Sequence, residues 1–300
     1  MSRFYATALF AALATMWGLS FPAISVGLEF IPPLLFAAFR YDVAAVLLLG
    51  YAILTTDSWR PVGRNNAEAI VGGGLFLVAG NGLLFVGQQT VPSGVAAILQ
   101  ALVPIATALW ALGVLDERLT GAGAAGVVLG FLGIGLIVRP DPSNLLAGDT
   151  VGRLLIVGQV VSVAFGGVLV QRAGPTMERV ALTGWSMLLG GVTLHLVSLG
   201  AGEVPTATII APTALGAVVY LGVFSTAIAF VIYFTLLEER GAFETSLVAY
   251  LVPVVATVAG VVLLGETISP LSVVGFTVVF FGFVLLKRRA LADLIDSTGS

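Results

Sequence analysis

The chain has 300 residues, of which 58% are hydrophobic and 10% charged, with a mean hydropathy of +1.09. Soluble domains carry roughly 25% charged residues, so this composition excludes a soluble globular protein, and 13 Lys and Arg against 16 Asp and Glu leave no basic surface for nucleic acid. The lack of cysteine in the sequence excludes disulfides, thiolate metal sites and cysteine nucleophiles. A membrane span needs about 20 predominantly apolar residues. Runs of that kind, punctuated by charge, Pro and Gly, fall at 4–28, 33–55, 67–88, 93–115, 119–138, 152–172, 179–199, 211–236, 243–264 and 268–287. An all-α membrane protein of ten transmembrane helices is expected, with little chain left for a soluble catalytic head.

The first run follows Arg3 as a signal peptide would, but it stays apolar far beyond the 7–15 residues of an h-region and reads as a retained helix. The second carries Arg40 and Asp42 near its middle, the third Asn81, and the fourth Gln100 four residues before Pro104. The fifth opens on Gly121-Ala122-Gly123-Ala124-Ala125-Gly126, a match to GxGxxG. A dinucleotide site needs that loop between a strand and a helix of a soluble βαβ unit, and here it opens a membrane helix. Gly126 and Gly130 also spell GxxxG, which packs helices closely within one protomer or between two. The seventh run carries Trp185 and His195, the eighth Ser225, Thr226 and Tyr233, and the ninth Tyr250 three residues before Pro253. The tenth ends at Lys287-Arg288-Arg289.

With the N-terminus inside, Arg3, Arg60, Arg64, Arg118, Arg172, Arg179, Arg240, Lys287, Arg288 and Arg289 are cytoplasmic, and Arg139 and Arg153 are external. That bias predicts a multi-pass plasma-membrane protein with both termini in the cytoplasm.

A shift of 149 residues aligns Leu102-Val103-Pro104 with Leu251-Val252-Pro253, and Leu115 and Glu117 with Leu264 and Glu266, without a gap. The register persists through Gly126, Phe131, Gly133 and Arg139, which meet Gly275, Phe280, Gly282 and Arg288. Five spans per copy is an odd number, so the second copy enters from the opposite face and the repeats are inverted. The expected organisation is a first repeat over 1–140, a connecting external loop over 141–150 acting as hinge, a second repeat over 151–290 and a cytoplasmic tail over 291–300.

Trp17-Gly18-Leu19-Ser20-Phe21-Pro22, then Pro32-Pro33 followed by Arg40-Tyr41, then the twice-occurring Leu-Val-Pro, Glu and Gly pattern resemble the drug/metabolite transporter superfamily in its EamA-like branch. The resemblance runs over nearly the whole chain. It implies a ten-helix inverted-repeat carrier that exports amino acids, related metabolites or toxic compounds. Its cavity would be lined by helices one to four and six to nine, with five and ten at the periphery. The copies differ: Ala164-Phe165-Gly166-Gly167 stands in the sixth segment where the first has Trp-Gly, and no arginine lies in the body of the seventh.

An ionised group at mid-span costs roughly 2.5–3.5 kcal/mol on insertion scales. Arg40 therefore binds a substrate carboxylate or gates, or else anchors backbone carbonyls. Asp42, two residues on, points about 200° away and is the candidate for proton coupling. Glu117 and Glu266 at helix ends suit helix N-termini or an Arg across the repeat. His195, near the outer face, reads as a satisfied helix-end residue. Proline frees a carbonyl one turn back, so Gln100 and Tyr250 sit where the backbone opens. The substrate-binding candidates are Trp17, Arg40, Asn81, Gln100, Trp185, Thr226 and Tyr250. Asn81, Gln100, Thr226 and Tyr250 are expected to converge on a midplane cavity with Trp17 and Trp185 as apolar walls. Trp59 and Trp110 read as interface and packing residues.

The function expected is a secondary transporter of a small-molecule substrate, monomeric or homodimeric in the bilayer, with no cofactor. A membrane-embedded enzyme would want paired acids, a Ser–His dyad or HExxH, a primary pump a Walker A motif, and a channel continuous polar rings. The sequence has isolated polar positions instead. Single cysteines at Ser143 and Thr56 of this Cys-free chain should react with an impermeant maleimide from outside and inside respectively; labelling in the reverse pattern would overturn the orientation.

Overall fold

The computed structural model describes residues 3–115, 120–138, 148–246, 248–286 and 288, and among them every regular element is helical. Eight helices are long and apolar enough to cross a membrane. They are α1 Arg3–Leu28, α2 Pro33–Thr55, α3 Arg64–Gly87, α4 Ser93–Val114, α5 Gly121–Val138, α6 Gly148–Ala173, α7 Arg179–Gly200 and α8 Pro212–Leu236. Two shorter apolar helices follow, α9 Val248–Leu264 and α10 Pro270–Leu286. With water absent from a bilayer core, helices that satisfy their own backbone are what such apolar runs can form.

Three spans are interrupted. Helix α3 passes into a π-helical stretch over Gly72–Val78 and a short 3-10 turn over Ala79–Asn81 before resuming, and α8 has a π-helical stretch over Tyr220–Ile228. The 149-residue shift superposes the two π stretches. The run Gly72-Gly73-Gly74 lowers helix propensity and lets α6 and α7 approach: a Cβ on Gly73 would stand 2.6 Å from Ser186 Oγ, and one on Gly74 2.9 Å from Leu189 Cβ. In α4 the helix breaks at Ala101-Leu102, where the amides turn back three residues, to Ile98 and Leu99, just ahead of Pro104.

The helices pack as α1 on α9 and α8, α6 on α4 and α3, α3 on α7, and α8 on α2, with α2–α7, α4–α9 and α5–α10 as direct pairs. In α5–α10 the backbones touch. A Cβ on Gly126 would strike the Gly282 carbonyl oxygen, one on Gly282 would lie 2.7 Å from that of Gly126, and Gly133 and Gly275 face each other in the same way. The Gly126 position of the GxxxG pattern is therefore spent within the chain, and Gly130 packs on Ile105 of α4.

Two boundaries differ from expectation. Helix follows α8 beyond residue 236 to Ser246, because the charged segment after Leu236 marks the end of the apolar run and contains no proline to stop helical hydrogen bonding. Of the expected hinge over 141–150, residues 141–147 lie outside the described residues, and Gly148 to Thr150 already belong to α6. Asp149 lies in the first turn of that helix and pairs with Arg153 at 2.8 Å, while Arg153 Nη1 donates to the Ile137 carbonyl at 2.8 Å and ties α6 to the end of α5.

Gly126→Ala should lower stability in detergent by about 1–3 kcal/mol, the usual effect of overpacking. Gly135→Ala, with open space around its Cβ, should be neutral or raise it by up to about 1 kcal/mol; thermal unfolding of the two variants checks the contrast.

Candidate functional site

Arg40 is 9% exposed on α2, and its Nε donates to Thr226 Oγ1 at 2.8 Å. Thr226 is placed by the π stretch of α8: its hydroxyl donates to the Leu221 carbonyl five residues back at 2.6 Å, which leaves the oxygen lone pairs for the arginine. The guanidinium lies 5.2 Å from the centroid of the Tyr41 ring. Among the described residues nothing bonds its two terminal nitrogens, so a buried cation keeps a free fork of donors of the shape that binds carboxylates bidentately. Trp17 on α1 stands 6.0 Å from Phe230 and 5.7 Å from Tyr233, forming an aromatic wall against α8.

Across the bundle, Asn81 and Gln100 meet through a residue that the sequence did not single out. Gln100 Nε2 donates to Gln159 Oε1 at 2.5 Å, Gln159 Nε2 donates to Asn81 Oδ1 at 3.0 Å, and Asn81 Nδ2 donates to the Leu77 carbonyl at 2.7 Å. Gln159, on α6, is 1% exposed. Its signal was the same as that of Gln100, a lone carboxamide inside an apolar run.

Asp42 Oδ2 lies 2.7 Å from His195 Nε2 at the seam between α2 and α7, with side chains 40% and 34% exposed. Asp42 Oδ1 sits 3.0 Å from where a Cβ on Gly191 would be, and the His195 ring packs on Phe39 at 5.7 Å. His195 is thus the partner of Asp42 rather than a simple helix-end residue.

The seven binding candidates do not gather into one cluster. Arg40 and Thr226 form one centre and Asn81 and Gln100 another. Tyr250 turns to α10, with ring centroids 4.5 Å from Phe283 and 5.3 Å from Phe280, and its buried hydroxyl has no partner among the described residues. Its place before Pro253, inside the continuous helix α9, did not determine the direction of the ring. Trp185 lies in a separate apolar cluster with Trp59, Ala52, Ala69 and Met177, and donates from Nε1 to the Trp59 carbonyl at 2.8 Å. It packs the end of the bundle near 56–63 rather than walling a midplane cavity. Trp110 packs against Phe165 and donates to the Val161 carbonyl.

Two cavities open toward the other end of the bundle. One of about 500 Å³ is lined by Ser25, Glu29, Gln88, Thr90 and Glu266 among others, and an apolar one of about 430 Å³ by α1, α8 and α9 residues that include Pro22, Tyr220 and Leu263. Glu266 accepts from Ser93 N and Oγ, each at 2.8 Å, and so caps α4 as a carboxylate at a helix N-terminus should. Glu203, unremarked in the sequence, does the same for α2 through Leu34 N and Leu35 N at 3.0 and 2.9 Å. Glu117 lies outside the described residues. Among the described residues no three His, Cys, Asp or Glu side chains cluster closely enough to hold a metal ion.

The family model for the EamA-like transporter family matches residues 5–139 and 150–288. An uncharacterized inner membrane transporter of Escherichia coli K12, YedA, is 34% identical over 284 residues, covering 93% of this chain and 89% of that one. An uncharacterized transporter of Archaeoglobus fulgidus is 28% identical over 93% of this chain and 97% of its own length. A solved crystal structure covers 96% of this chain and 99% of its own with a TM-score of 0.66 at 20% identity, a likeness of fold.

Thr226→Val keeps the shape but strands Arg40 Nε, and should cost about 1–3 kcal/mol, the cost of leaving a buried donor unbonded. Ser225→Ala removes a buried hydroxyl that has no partner among the described residues and should be neutral or stabilising; unfolding midpoints of both in detergent decide.

Proposed function

Because the chain belongs to the EamA-like transporter family of the drug/metabolite transporter superfamily, we propose that it is a secondary exporter of small metabolites, amino acids or related compounds and toxic compounds among them, working by alternating access. The observation that carries the mechanism is the way helix partners exchange between the halves. Replacing each helix by the one five places along turns α1–α9 into α6–α4 and α3–α7 into α8–α2, and leaves α2–α7, α4–α9 and α5–α10 as they are. That is the pattern expected of two inverted five-helix repeats around a pseudo-two-fold axis. The matched π stretches in α3 and α8 and the crossed glycine contacts of α5–α10 support the same reading. The capping groups fit it too: Glu203 holds the start of α2, while Asn66 Oδ1 accepts from Thr176 N at 2.8 Å just before α7.

In this reading both termini are cytoplasmic, the protein lies in the plasma membrane as a monomer or homodimer, and 1–140 and 151–290 rock against each other. Arg40, held by Thr226, takes a substrate carboxylate, Trp17 with Tyr233 walls an apolar side chain, and Asn81 and Gln100 supply polar contacts from the opposite side. A π interruption in α3 and another in α8 give up backbone regularity, as helices around a carrier's substrate site do. The family and the names of its relatives point to a transporter rather than an enzyme. Uptake into proteoliposomes, with and without a pH gradient, tests the proposal: carrier-type counterflow is expected, and non-saturable flux would favour a channel.

Asp42 carries the coupling. The pair with His195 joins one helix of each half, so a proton gained or lost there changes the contact that must slide when the halves rock. Asp42→Asn keeps the shape and removes the titration. It should abolish accumulation driven by a pH gradient while retaining substrate counterflow, which needs no net proton movement. Intact gradient-driven transport in that variant would make Asp42 structural.

A further inference from the structure

We infer that Gln100 is a hydrogen-bond acceptor for an N–H group, so that the transported molecule presents an amine to α4, and that Gln159 and Asn81 are positioning residues that impose this polarity. The inference rests on the transporter reading for its meaning and on the hydrogen-bond chain for its direction. A carboxamide can present either its oxygen or its nitrogen, and at a site open to choice it would adapt to donors and acceptors alike. Here the choice is removed. The Leu77 carbonyl can only accept, so Asn81 must turn Nδ2 toward it at 2.7 Å. Asn81 Oδ1 then faces Gln159 and must receive Nε2, at 3.0 Å, which leaves Gln159 Oε1 to receive Nε2 of Gln100 at 2.5 Å. Each step follows from the one before, and the last atom in the series is Gln100 Oε1.

That oxygen has no donor among the described residues, and Gln100 itself is half-buried rather than sealed. Reversing Gln100 alone would set oxygen against oxygen at Gln159, and reversing the whole series would set Asn81 Oδ1 against the Leu77 carbonyl. Gln159, fully buried between α3 and α4, cannot exchange its bonds for water. Chains of this kind polarise one another, which strengthens the terminal acceptor. The backbone adds a second acceptor at the same residue, because Pro104 has no N–H to give to the Gln100 carbonyl four residues back. Two acceptors stand there against the one Nε2 hydrogen that the bond to Gln159 leaves over, a balance that favours an amine or ammonium over a carboxylate, opposite in chemistry to the free guanidinium fork of Arg40.

The test uses the purified full-length protein in detergent and a thermal-shift panel of amino acids and simple aliphatic amines. Each is paired with its N-trimethylated counterpart, which keeps the positive charge and has no N–H. At least one amine should stabilise the wild type with its trimethylated partner about tenfold weaker or worse, and Gln100→Met should erase the preference. Asn81→Leu leaves Gln100 in place but removes the carbonyl anchor, and should shrink the preference several-fold; it decides the matter if Gln100→Met does not fold. Equal binding of amines and trimethylated partners, a preference that survives both substitutions, or no stabilisation by any amine of the panel would overturn the assignment. Proteoliposome flux keeps the two readings apart. Trimethylated compounds carried as fast as amines would leave the exporter standing without this site, and amine binding with no flux would leave the site standing without the exporter.

Discussion

In a bundle surrounded by hydrocarbon, a polar group without a partner inside the protein is costly, and the irregular turns of this fold depend on that constraint. A π stretch disturbs the register of helical hydrogen bonds, and a side chain repairs it in each case. Thr226 reaches the Leu221 carbonyl, Asn81 the Leu77 carbonyl, and Ser162 of α6 the Phe76 carbonyl at 2.8 Å. These same side chains then extend outward, Thr226 to Arg40 and Asn81 to Gln159. The polar centres are thus continuous with the defects in the helices that carry them.

Close helix approach supplies the rigidity that lets such small contacts hold. Lipid tails are as apolar as leucine, so association between membrane helices draws on packing and not on the exclusion of water. The α5–α10 pair uses glycine backbones to do so, and the Gly72–Gly74 run seats α3 on α6 and α7. The ends of the bundle are closed by carboxylates and an amide bonded to helix N-termini: Glu203 at α2, Glu266 at α4 and Asn66 ahead of α7. Each of these bonds joins one of the first five helices to a residue from the second half of the chain.

Two electrostatic motifs sit on one helix and face apart. Arg40 turns inward to α8, while Asp42 turns to the α2–α7 seam and His195. The separation follows from helical geometry, since residues two apart point about 200° away from each other. It allows a cation and a carboxylate to share a span without neutralising one another.

Composition and apolar runs alone determined that the chain lives in a membrane, roughly where its spans lie and which of them carry charge, because the cost of placing polar residues in hydrocarbon is written directly in one dimension. The repeat in sequence likewise marked Gly126, Gly133, Gly275 and Gly282 as equivalent positions, though not that they would touch. What tertiary structure decided was which side chains meet. Gln159 joined Asn81 to Gln100, His195 joined Asp42, and Trp185 and Tyr250 turned away from the centre to Trp59 and to Phe283. Those outcomes depend on the rotational phase of each helix and on the π turns that reset it partway along. Phase in a span apolar nearly all round leaves too faint a trace in sequence to read, so partners from Tyr250 and Phe283 to Asp42 and His195, the latter 153 residues apart, were settled by the packing of the whole bundle.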